Sequence, residues 1–90
     1  MRIDKFLYFA RLTRTRSAAQ ALVATGHLRL DGKRIERDAQ GVAEGQVLTL
    51  PRGDTVLALR ILALPKRRGP PAEAAALVEN ANVSHQPLSD

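Results

Sequence analysis

Five cationic side chains, Arg2, Lys5, Arg11, Arg14 and Arg16, crowd the first sixteen residues, where Asp4 is the one acid. Arg14 and Arg16 flank Thr15; Ser17 follows directly, and Gln20 stands one helical turn beyond Arg16. If a helix opens at Thr15, its first backbone N–H groups lack partners within the helix and its dipole is positive at that end. Guanidinium forks, hydroxyls and free amides then meet at one spot, which is the donor set a phosphate needs. Arginine suits the task because its planar donors match two phosphate oxygens at once. A second basic pair, Lys33-Arg34, follows Asp31-Gly32, where a hairpin tip would carry it to another part of the same polyanion. The plainer reading makes these solvated charges, with Thr15 only a cap and Lys33-Arg34 guarding an edge strand. Cap and phosphate site are compatible.

Other chemistry finds little support. The chain has no cysteine, so disulfides and thiolate metal sites are excluded. Of its two histidines, His27 follows an expected helix stop, where capping or packing suits it, and His85 lies in an expected disordered tail. Paired carboxylates, a glycine-rich phosphate loop and metal-ligand spacing are all missing, so no catalytic residue, no metal and no cofactor is expected. The aromatic content of 3% is Phe6, Tyr8 and Phe9. Phe6 and Phe9 are spaced for a core, which argues against stacking on single-stranded bases and for recognition of folded RNA by shape and phosphate.

The elements that would position the basic residues follow from periodicity. Ile3, Phe6, Leu7, Phe9 and Ala10 recur at helical spacing after Asp4, an expected N-cap, and predict a first helix over Ile3–Leu12. Thr15 caps a second, over Ser17–Thr25, with Ala18, Ala21, Leu22 and Thr25 as its inner face and Gly26 as the left-handed stop. Leu28–Leu30 and Lys33–Glu36 read as strands joined at Asp31-Gly32. Gln46–Leu50 is a third strand, Pro51–Asp54 a turn, and Thr55–Leu64 a fourth strand with Leu57, Leu59, Ile61 and Ala63 on one side and Arg60 on the other. A Pro/Gly-rich basic linker at 65–71 leads to a helix over Ala72–Ala81, and 82–90 is expected to be disordered. The fold class expected is α+β: a short helical pair packed on a small, mainly antiparallel sheet, with a C-terminal helical extension. The domain proper would be 1–64.

Charge separates along the chain. All fourteen Lys and Arg and six of the nine acids fall in residues 1–68, leaving +8 there, while three acids leave residues 69–90 at −3. A basic body implies a polyanionic partner. No apolar run nears the roughly 20 residues needed to cross a bilayer, and no signal-peptide core opens the chain. A soluble, cytoplasmic protein without a membrane partner is expected.

Four ordered blocks carry a family likeness: Arg2-Ile3-Asp4-Lys5-Phe6-Leu7, Thr15 through Val23, Gly26 through Lys33, and Val42 through Val47. Over about residues 1 to 50 they resemble the S-four RNA-binding domain, named for ribosomal small-subunit protein four and also called the alpha-L motif. Thr15-Arg16-Ser17 and Arg68-Gly69-Pro70, leading into an Ala-Glu-Ala helix, are similar to a ribosome-associated heat-shock branch of that family. Phe6 and Tyr8 stand where the family commonly has tryptophan, Asp31 where it has asparagine, and an acidic tail where the heat-shock relatives are longer and basic. The resemblance implies RNA contact by Arg2, Lys5, Arg14, Thr15, Arg16, Ser17 and Gln20, with Lys33 and Arg34 in support and Arg11 in the same basic cluster. It implies structured ribosomal or transfer RNA as partner, on large subunits holding a stalled chain. Rival readings are a helix-turn-helix DNA binder, an adaptor that docks through its C-terminal helix, and an enzyme. The second helix carries Ala, Leu and Val where a DNA reader needs polar side chains, so weak DNA binding at most is expected.

Overall fold

The structure is a computed structural model, and it describes residues 1–81. The tail expected at 82–90, with His85, lies outside the described residues. Two helices, α1 (Ile3–Phe9) and α2 (Arg16–Ala24), precede β1 (Arg29–Leu30), β2 (Lys33–Arg34), β3 (Val47–Arg52) and β4 (Thr55–Ile61); α3 (Pro71–Ala75) and β5 (Val78–Asn80) follow. The strands form one sheet in the order β2-β1-β3-β4-β5, antiparallel at every pairing. The α+β class read from the sequence is the class observed.

Ile3, Phe6 and Leu7 of α1 and Ala10 at its C-cap form one buried stripe at i, i+3, i+4 and i+7. Phe9 is only half-buried, outside the core expected for it. Asp4 is not the N-cap. Arg2 holds that position without a side-chain cap, and the helix starts at Ile3. The chain ahead of it is tied down instead: Ile3 N donates to Gln40 O at 2.7 Å, and Val42 N donates to Met1 O at 2.8 Å. The helix stops short of Leu12 because Arg11 turns left-handed (φ 60). Leu12 N then reaches Leu7 O at 2.9 Å and Arg11 N reaches Tyr8 O at 3.1 Å, the paired bonds of a Schellman stop. Glycine usually fills that place, so arginine there gave no stop signal.

Thr15 caps α2 as expected, its Oγ1 accepting from Ala18 N at 2.9 Å. The inner face is rotated by one residue from the expected one. Ala19 and Val23 are buried, whereas Ala18 and Ala21 are exposed. With alanine at 18, 19 and 21 the pattern had no directional content, and contact with α1 settled it. Gly26 (φ 79) ends the turn after α2, and His27 beyond it is exposed rather than packed.

Asp31 (φ 50) and Gly32 (φ 85) adopt the doubly left-handed backbone of a two-residue hairpin. Arg29 then faces Arg34 and Leu30 faces Lys33. Between β3 and β4 the turn is shorter than Pro51–Asp54: Arg52 pairs with Thr55, and Pro51 belongs to β3. Proline is tolerated because β3 has outrun β1 there, and one flank of the strand is unpaired. Leu48, Leu50, Leu59 and Ile61 face the helices and, with Leu28, Leu30, Ile35 and Val42, complete the core.

The C-terminal helix expected over 72–81 is only five residues long. Beyond it, Val78–Asn80 pairs with β4, Ile61 opposite Val78 and Leu59 opposite Asn80. The free edge of β4 offered hydrogen bonds that a marginal helix could not match. Ala74 of α3 is buried within the chain, while the other residues of this short helix are exposed. The basic linker is also docked. Arg68 lays its guanidinium 4.6 Å from the Tyr8 ring centre and donates Nε to Tyr8 O at 3.0 Å and Nη2 to Thr13 O at 3.4 Å. Arg11 Nε donates to Gly69 O at 2.6 Å. No helix of the described chain is long and apolar enough to cross a membrane.

Candidate nucleic-acid interface

α1 packs against α2 so that the N-terminal parts of the two helices meet at Asp4. Its side chain is fully buried, the only buried charge among the described residues. Arg2 grips it in a bidentate fork, Nε to Oδ1 at 3.1 Å and Nη2 to Oδ2 at 3.0 Å. Arg16 Nη2 reaches Oδ2 at 3.4 Å and Gln20 Nε2 at 3.1 Å. Arg2 also touches the half-exposed Asp38 at 3.4 Å. Burial pushes the Asp4 carboxyl up, but hydrogen bonds from Arg2 and Gln20 and the charge and hydrogen bond of Arg16 outweigh it, and the net shift is downward. The hydrogen bond and charge of Asp4 in turn raise Arg2.

This arrangement leaves both arginines two-sided. One edge of each guanidinium faces Asp4, yet the side chains keep 47% (Arg2) and 42% (Arg16) of their surface in solvent. Arg16 Nε is buried without a partner, leaving a donor unused. Ser17 and Gln20 are exposed on the first turns of α2, and Thr15 uses its oxygen as the cap while its hydroxyl hydrogen is free to donate. Arg14 is exposed and has no ion-pair partner among the described residues. Lys5 is exposed, with its Nζ 5.3 Å from the Phe9 ring centre. Arg11 is drawn the other way, onto Gly69.

Lys33 and Arg34 are exposed on the hairpin, at the opposite end of α2 from Arg16: a side-chain carbon added at Gly26 would lie 4.0 Å from Arg34 Cδ. The nine residues of α2, a helix about 14 Å long, lie between the two basic centres. Sequence reasoning overlooked Arg29, which the two-residue turn sets directly across from Arg34. Like charges in that position destabilise a strand pair, and neither arginine has a carboxylate partner among the described residues. Sequence reasoning also overlooked Asp4 as the hub; a lone acid among five bases was the available signal. Among the described residues no group of three or more His, Asp or Glu gathers as a metal ion would require.

The family model for the S4 domain matches residues 1–48. Small ribosomal subunit protein uS4 of Listeria welshimeri is 43% identical over 49 residues, covering 54% of this chain and 24% of that protein. The uS4 of Elusimicrobium minutum is 34% identical over 58 residues, covering 64% of this chain and 29% of that protein. The chain thus spans about a quarter of the length of the curated relatives it matches. Among solved structures, the trimeric heat shock protein 15 of Vibrio cholerae superposes with a TM-score of 0.86 at 26% identity, over 99% of this chain and 91% of that one.

Proposed function

We infer, from the fact that this chain belongs to the S4 domain family of RNA-binding modules, that it is a non-enzymatic protein gripping structured RNA across two basic centres. The first is the mouth of α2, with Arg2, Lys5, Arg14, Thr15, Arg16, Ser17 and Gln20 as contacts. The second is the hairpin, with Lys33 and Arg34. Arg11, bound to Gly69, contributes charge at the border of the first. The target is ribosomal or transfer RNA on the large ribosomal subunit, in a cytoplasmic response to heat or stalled translation. Support for the finer part is likeness over almost the whole chain to a heat shock protein.

The observation that carries the reading is that Arg2 and Arg16 are held rigidly yet remain half exposed at a helix N-terminus. A phosphate meets donors already oriented, so little side-chain entropy is lost on binding. Filter binding to transfer RNA and to duplex DNA at matched salt tests it, together with gradient sedimentation of cell extract. Tighter RNA binding and migration with the large subunit are expected. Equal or better binding to DNA would overturn RNA as the target, and a protein left at the top of the gradient would overturn the ribosomal assignment.

A further inference from the structure

A phosphate-binding face gains nothing in raw attraction from a buried acid, yet Asp4 sits at the centre of this one. Every side-chain donor that Asp4 engages belongs to the interface: Arg2, Arg16 and Gln20. Resting on the RNA-binding reading above, we propose that Asp4 is a specificity-determining residue, which fixes and neutralises Arg2 and Arg16 so that the interface selects folded RNA over unstructured polyanion.

The charges explain how. Arg2 and Arg16 are matched by Asp4 and Asp38, so this cluster of four is neutral while it still presents guanidinium N–H groups to solvent. Binding to any polyanion is driven by release of counterions in proportion to the phosphates neutralised. A compensated centre contributes little of that term. What it contributes is hydrogen bonding in a fixed direction, and hydrogen bonds reward only a ligand whose oxygens are already placed. A folded RNA holds its phosphates and 2′-hydroxyls in place, and a flexible strand must first be ordered. Lys5, Arg14, Lys33 and Arg34, which have no carboxylate partner among the described residues, supply the unselective attraction. Asp4 touches the RNA only through the arginines and is therefore a positioning residue.

The test is Asp4→Asn, which keeps the size and one acceptor oxygen but removes the charge. Wild type and variant are titrated with transfer RNA and with a short oligouridine between about 50 and 200 mM salt. For the variant, oligouridine binding tightens and its log–log salt slope steepens by about 0.7, one additional phosphate on a single strand. The preference for transfer RNA falls on the order of tenfold, because two guanidinium side chains must now be immobilised on binding. Adding Arg16→Gln to Asp4→Asn restores the net charge, so the slope returns to the wild-type value while the preference stays lost. A merely structural role would leave the slope of the folded variant unchanged. That result, or tightening on both RNAs with an unaltered ratio, overturns the proposal. If melting shows that Asp4→Asn does not fold, Asp38→Asn removes the outer compensating charge from a half-exposed site and must steepen the slope in the same direction. A wild-type protein that binds neither RNA overturns the proposed function itself, and the inference with it.

Discussion

Replacing Arg34 by glutamine should make the protein more stable and a poorer RNA binder. Arg34 lies directly across from Arg29, both exposed and neither paired with an acid among the described residues. Relieving a directly opposed like-charge pair is worth about 0.5 kcal/mol. In a chain of 90 residues that raises the melting temperature by about 3 °C. Glutamine retains part of the stem that runs past Gly26, so the loss of packing is small. Binding moves the other way. With Lys5, Arg14, Lys33 and Arg34 each neutralising one phosphate of a helical RNA, the log–log slope is about −3.6, and a fourfold rise in salt weakens binding about 150-fold. Removing Arg34 brings the slope to about −2.7 and the loss to about 40-fold. Thermal melting and filter binding across a salt series on the same preparation read both effects. A lower melting temperature with an unchanged slope would refute the reasoning, because the opposed arginines would then be part of the scaffold and not a contact.

Three further outcomes are expected. The ordinary carboxyl value is 3.8 and Asp4 lies below it when folded, so its stabilising contribution is complete above that value and is lost as the pH falls below it. Urea titrations from neutral pH down to acid should therefore show wild type losing more stability than Asp4→Asn; parallel losses would contradict the shift. Arg68→Ala removes two hydrogen bonds to carbonyls and the contact with Tyr8, about 2 kcal/mol. Its melting temperature should drop by roughly 10 °C, and an unchanged melt would mean that the C-terminal segment does not clasp α1. Thr15→Ala loses the bond to Ala18 N and about 1 kcal/mol; Thr15→Ser should restore the stability, and a serine variant as unstable as alanine would rule out capping as the cause.

Local signals were legible without the structure. Thr15 as a cap, Gly26 as a stop, Asp31-Gly32 as a tight turn and the alternating Leu57, Leu59 and Ile61 are each written in a few adjacent residues, and each is found where expected. The basic cluster at residues 2 to 16 was equally plain, because charge is a property of composition. What tertiary structure decided lies in contacts between distant parts of the chain. Arg2 meets Asp38 across 36 residues, Arg11 meets Gly69 across 58, and Arg68 meets Tyr8 across 60. Val78 became a strand because β4 had an open edge, and the face of α2 was chosen by what α1 offered to its alanines. A residue's type limits which partners it accepts, but burial and the competition among partners are set only when the chain closes on itself. Asp4 shows the difference: its sequence position suggested a helix cap, and folding made it the hub that holds two arginines at the mouth of α2.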